Sequence, residues 1–354
     1  MIKLKQLAAI GLSLVTALSL FTGCNSDSKK ESGNTNTNSD SVDVNSTLIT
    51  IDDTTIPFSV GQFYAYNEQA SYEAYYLANG YVINWSTKYT EENPETIEDM
   101  VKNDVLERIK MFHVVANYAI ANGITLSDED YSEIDESVSN YLNGSEKVIH
   151  ATGATEELLK SIYETESYYN KGCDLIFEGE TFEVDEDEIR QCDIYAVEIY
   201  PEVIEFPEDT ANAILNRVKA GEDIQKVANA YGLECHEGNV GKGDFDGDSV
   251  EKLCLSLNDG EVGIASEDGA YLVIYCIKAT DEEATEIARE EAIGLLKSDK
   301  LKSFYDEYTK DMNITVDEAL WSTITYTNTI FSSDDLEEIL GEGVTTSNEA
   351  ATSN

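Results

Sequence analysis

The sequence predicts an α+β fold in which helical stretches lie on either side of a central segment that carries strands. Three observations lead there. Apolar residues recur at helical spacing through long stretches between Ser59 and Ile176, and again from Asp281 to about Met312. Two runs with strand character, Cys192 to Tyr200 and Tyr271 to Lys278, fall between those stretches. Composition also shifts near Thr181.

The elements follow in order. Leu48 to Pro57 alternates like a short strand with a turn. Ser59 opens a Tyr-rich helix to about Ala78, with Phe63, Tyr66, Ala70 and Ala74 at helical spacing. A longer helix is expected from about Glu95 to Asn122, on Met100, Val105, Ile109, Phe112 and Tyr118, with Gly123 as its stop. Ser127-Asp-Glu-Asp130 and Thr155-Glu-Glu-Leu158 are helix starts, because a hydroxyl there accepts from the first free backbone N–H groups. Asp209 to Ala220 reads as a helix with Ala211, Ile214, Leu215 and Val218 inward, and Ile224, Val227 and Ala228 suit a second short one. Gly238 to Gly247 holds four glycines and reads as a loop. Tyr271 to Lys278 (YLVIYCIK) is a buried strand, and the run from Asp281 carries Ile287, Ala292, Leu295, Leu296, Phe304 and Tyr308. From Phe331 the chain is acidic, then rich in Ser, Thr and Asn, so a disordered tail is expected over 331–354.

Composition narrows the function classes. The 354 residues are 42% hydrophobic, enough for a sizeable core. Against 70 Asp and Glu stand 23 Lys and Arg, a net charge of −47, and a field of that sign repels phosphate backbones, so nucleic acid is a poor partner. Lys3 and Lys5 precede an apolar run from Leu7 to Phe21, too short for a bilayer span of about 20 residues but suited to an export signal. Leu20-Phe21-Thr22-Gly23-Cys24 resembles the bacterial lipobox, with Phe21 where an aliphatic residue is usual. The resemblance implies a signal peptide over 1–23, lipid on Cys24 and an extracytoplasmic protein anchored to the bacterial cell membrane. Residues 24–47 are almost wholly polar and make a tether. The five other cysteines, Cys173, Cys192, Cys235, Cys254 and Cys276, are irregularly spaced. They read as buried thiols, with one or two bridges as the alternative in an oxidising compartment.

The motifs for metal and hydrolytic chemistry fall short. Asp244-Phe-Asp246-Gly-Asp248 invites a calcium reading, but the sixth and twelfth places of that loop are Ser249 and Leu255 instead of Gly and a carboxylate. Cys235-His236 stands without a second ligand pair, and only His113, His150 and His236 could serve a hydrolase, with no nucleophile-elbow motif in the chain. No cofactor and no metal are expected.

What stands out is the order of segments between Cys192 and Asp281: a strand, the helical run AILNRVKAGEDIQKVANAYG, the glycine stretch GNVGKGDF, then VEKLCLSLNDGEVG and EDGAYLVIYCIKATD. This resembles a parvulin-type peptidyl-prolyl isomerase domain, as found in PrsA/SurA-like extracytoplasmic foldases. The resemblance implies a helical, discontinuous chaperone domain at 48–190, completed by 283–330, into which a parvulin-like domain of small antiparallel sheet plus helices is inserted at 191–282. It implies binding of unfolded or newly exported polypeptides, with peptidyl-prolyl isomerase activity if the site is intact. Two family histidines fall on Glu198 and Tyr271, Cys235 lies near a family Cys/Asp position, and Val250 takes an aromatic's place in a proline pocket with Leu253 and Leu255. A solute-binding or surface-structural lipoprotein is the alternative; the former needs repeated βα units, which the long helical runs oppose.

Overall fold

The computed structural model describes residues 42–88, 90, 94–245, 248–267, 269–335 and 339. Cys24, the export signal and most of the tether lie outside them. The chain divides into two compact units, Met1–Glu178 with Ser303–Asn354, and Gly179–Lys302 between. Among the described residues no helix is long and apolar enough to cross a membrane.

The first unit is mainly helical. A hairpin of β1 (Thr47–Ile51) and β2 (Thr54–Pro57) leads into α1 (Phe58–Ala78), followed by α2 (Ile97–Ala121), α3 (Asp128–Leu142), α4 (Glu146–Thr152) and α5 (Glu156–Phe177). Two of these helices begin at capping boxes. Thr96 accepts from the Asp99 N–H at 3.1 Å while Asp99 accepts from the Thr96 N–H at 3.0 Å, and Ser127 and Asp130 repeat the exchange. Apolar stripes bring Phe63, Val105, Ile109, Leu159 and Ile162 into one core. The far end of the chain closes it. β7 (Ile314–Val316) pairs antiparallel with β1, giving a sheet of order β2-β1-β7, and Trp321, Ile324 and Tyr326 fill the same core. The Tyr326 hydroxyl donates to the Ala65 carbonyl at 2.9 Å, and the Lys102 ammonium to the Ile324 carbonyl at 2.5 Å.

The inserted unit holds α6 (Glu186–Ile189), β3 (Cys192–Ile199), α7 (Pro207–Lys219), α8 (Ile224–Ala230), β4 (His236–Val240), α9 (Asp248–Ser256), β5 (Val262–Glu267) and β6 (Ala270–Lys278). Its sheet is antiparallel throughout, in the order β4-β3-β6-β5. This is the small antiparallel sheet with helices that was expected, within an α+β chain. Repeated parallel βα units are absent from the described residues.

Four local features differ from expectation. Gly238 lies in a strand, β4, because an exposed edge accepts a residue with no side chain to pack. The join between units falls earlier and later than 191 and 282. Lys300 pairs with Glu180, Arg289 holds Glu186 at 2.5 and 2.6 Å, and Lys297 lies over the Phe182 ring, so 179–190 packs along the first part of α10 (Glu282–Tyr308). On that helix Ile287, Leu295 and Leu296 are exposed. Finally, residues 331–335 are packed instead of frayed: Phe331 is buried, and Asp335 accepts from the Ser332 N–H at 2.7 Å and pairs with Lys147.

Candidate functional site

The inserted sheet has two different faces, and alternation along its strands decides which residues meet. On one face Val197, Ile199 and Val273 are buried under Ala211, Ile214 and Val218 of α7 and Val227 of α8. On the other, Cys192, Ile194 and Ile274 pack against Val250 and Cys254 of α9.

Register separates two of the expected site residues. Glu198 stands opposite Leu272 in the β3–β6 ladder, and Tyr271 stands opposite Ile199. Glu198 therefore shares the face of Leu272 and α9, whereas Tyr271 packs with the α7 side. A single constellation of Glu198 and Tyr271 does not form, since a one-residue offset on a strand reverses the face. Glu198 is exposed and accepts a hydrogen bond from the Tyr200 hydroxyl. Tyr271 is half-buried, and desolvation, then the charge of Glu208 and a hydrogen bond to it, push its phenol up.

The remaining expected residues are mostly structural in their contacts. Cys235 is half-buried beside the α7 core, and burial, followed by the charges of Asp223 and Glu237, pushes its thiol up to about 11. It is a neutral thiol near pH 7, a poor nucleophile. Val250 is fully packed under the sheet. Leu253 presses on Gly263 so closely that a β-carbon there would lie 2.6 Å from its Cδ1. Leu255 is half-buried in the same cluster, and its carbonyl accepts from Arg190 at 2.8 Å. These three leucine and valine side chains belong to the core layer on the face of Glu198. In the glycine stretch, Asp244 accepts from the Gly241 N–H at 2.7 Å and Glu251 from the Gly243 N–H at 2.7 Å, so both carboxylates stabilise the turn.

Two features escaped the sequence reading. A groove of about 990 Å³ opens on the α7 side, lined by Tyr195, Tyr275, Val218, Ile224 and Val262 with Glu261 at its rim. Its only sequence signal is the odd-numbered spacing of Tyr195 and Tyr275 on their strands, and the two meet because they are register partners. The second is the loop from Tyr200 to Phe206, which turns Tyr200, Val203 and Phe206 outward. Composition alone would have buried them.

No protein-family model matches the chain, and no curated protein matches it. Among solved structures it is similar to a SurA-like chaperone of Campylobacter jejuni, at 11% identity over 77% of this chain and 99% of that one, with a TM-score of 0.28. It is similar to the PrsA peptidylprolyl isomerase of Bacillus cereus, at 15% identity over 71% and 96%, TM-score 0.30. The foldase protein PrsA of Streptococcus pneumoniae follows at 13% identity over 70% and 97%, TM-score 0.26. Identities and TM-scores of this size assign no role to any residue of this chain.

Proposed function

We propose that the chain is a lipid-anchored, extracytoplasmic foldase-type chaperone that binds unfolded, newly exported polypeptides and accelerates X-Pro isomerisation little or not at all. One observation carries the reading. A helical unit assembled from both flanks of the chain is interrupted by an inserted unit of antiparallel sheet and helices, in which Glu198 and Tyr271 stand on opposite faces of the sheet instead of converging. The segment order that resembles parvulin-type foldases lies in that inserted unit.

The chemistry explains the weight placed on binding. Rotation about X-Pro faces a barrier of about 18–20 kcal/mol, and a catalyst must hold the ring while stabilising an imide that has lost conjugation. Glu198 and Tyr271 point to opposite sides of the sheet, and the Cys235 thiol stays protonated, so these three groups do not bracket one carbonyl. Binding an extended chain needs only apolar surface and open strand edges, which β4 and β5 provide at the two ends of the sheet order.

Two measurements in parallel test this: suppression of aggregation of a refolding client, and the rate of a proline-limited refolding reaction. The expected result is suppression at stoichiometric amounts with a refolding rate changed less than about twofold. Strong acceleration that collapses in Glu198→Ala would sink the binding-first reading, and absence of suppression would remove the chaperone reading altogether. For the anchor, Cys24→Ala should move the protein from the membrane fraction to the soluble one.

A further inference from the structure

The loop between β3 and α7 exposes apolar side chains that the fold holds outward. Val203 is 72% exposed, Phe206 61% and Tyr200 46%. This is ordered exposure. The N–H groups of Val203 and Ile204 both donate to the Tyr200 carbonyl, at 3.1 and 3.0 Å. Pro201 and Pro207 fix the backbone on either side, and Ile204 packs into the α7 core between the two exposed residues. Three large apolar side chains displayed within seven residues on a rigid loop mark an interaction surface.

Charge identifies the kind of partner. From Glu198 to Asp209 the loop and its flanks carry Glu198, Glu202, Glu205, Glu208 and Asp209, and no Lys, Arg or His occurs before Arg217. Two of the acids lie close to a displayed aromatic: Glu198 accepts from the Tyr200 hydroxyl, and Glu202 acts on the same phenol. A partner that covers Val203 and Phe206 must bring apolar side chains and, to offset these carboxylates, positive charge.

We infer that the Tyr200–Phe206 loop docks extended polypeptide segments in which apolar or aromatic side chains are flanked by Lys or Arg. The inference rests on the chaperone reading and sharpens it, naming the class of client segment and where it binds. The loop supplies two or three apolar contacts, and the acidic ring supplies selectivity and a faster encounter with cationic segments. An anionic membrane surface fits poorly, because its charge has the same sign as the loop.

The test uses the full chain and three labelled peptides about twelve residues long, followed by fluorescence anisotropy. One alternates Phe or Leu with Lys or Arg, one replaces the bases by Glu, and one keeps the bases but replaces the apolar residues by Ser. The first peptide should bind at least about tenfold more tightly than either of the others, and its affinity should drop several-fold between about 0.05 M and about 0.5 M salt. The pair Val203→Ser and Phe206→Ser should weaken it about tenfold. The pair Glu202→Lys and Glu205→Lys should weaken it similarly and raise affinity for the acidic peptide. All four positions are surface sites, and circular dichroism confirms that each variant is folded.

Equal binding of the acidic peptide, or variants that bind like the parent, would overturn the inference. So would sedimentation of the Cys24→Ala chain with zwitterionic or anionic vesicles in place of peptide binding. Aggregation suppression measured on the same samples separates the two levels. Suppression intact with variants indistinguishable from the parent rejects this surface and leaves the chaperone reading standing. Peptide binding that tracks the variants without any suppression supports the surface and rejects the chaperone reading.

Discussion

Four hydrogen bonds converge on the Glu73 side chain, which is 2% exposed. Gln69 and the Trp85 indole donate to one oxygen at 2.7 and 3.2 Å, and the N–H groups of Ile330 and Phe331 to the other at 2.7 and 2.9 Å. One acidic residue on α1 thus supplies the acceptors that the end of the chain lacks. Glu73→Ala would leave buried donors without partners, and should cost about 3 kcal/mol, read as a lower urea midpoint at unchanged slope. A shift under about 1 kcal/mol would show that water replaces the carboxylate. A second residue sets a pH dependence. Burial holds His113 below its ordinary 6.5, at about 4, so the folded state keeps it neutral. Its contribution is intact above pH 6.5, because the unfolded chain binds the extra proton only below that value. Stability should fall between pH 6.5 and about 4, by about 3 kcal/mol from this group, and His113→Leu should flatten that limb of the pH profile.

At the scale of elements, close approach and alternation decide the outcome. α2 and α5 cross at Gly172, where a β-carbon would lie 2.7 Å from both the Val115 carbonyl oxygen and its Cγ1. Because one of those atoms is backbone, the neighbour cannot rotate away. Gly172→Ala should destabilise the protein by about 2 kcal/mol despite the better helix propensity of Ala, and a thermal melt that rises instead would mean the helices slide apart freely. The same geometry explains why the site was only half legible. Val250, Leu253 and Leu255 are recognisably apolar in the sequence, and all three pack on the Glu198 face. Placing Tyr271 beside Glu198, however, required the β3–β6 register, and the chain puts Leu272 there. Which face a strand residue joins depends on register, because a shift of one residue changes the face.

For the whole molecule, the division into units predicts how fragments behave. Residues 179–302 enclose their own sheet and both of its apolar layers, so this piece should unfold in one cooperative transition. Residues 42–178 lack Trp321, Ile324, Tyr326 and Phe331, and they also lack β7, the strand that pairs with β1. That fragment should be molten, with exposed apolar surface that binds dye, and adding 303–335 as a separate chain should restore a sharp transition. A fragment ending at 178 that is monomeric and as stable as the full chain would contradict the two-flank assembly.

The sequence by itself determined what is local. Helix starts at Thr96 and Ser127, the stripes of α2 and α5, and the strand character of Cys192–Ile199 and Ala270–Lys278 follow from periods and caps that a few neighbouring residues specify. The chain's acidity is likewise written in composition. Only the tertiary structure decided which side of the sheet each candidate residue joins, that Phe331 and Asp335 are packed, that Glu73 serves two distant segments, and that Val203 and Phe206 face water. Each of these depends on contacts between residues far apart in the chain, and no local period encodes which of two faces, or which of several apolar residues, the rest of the fold will cover.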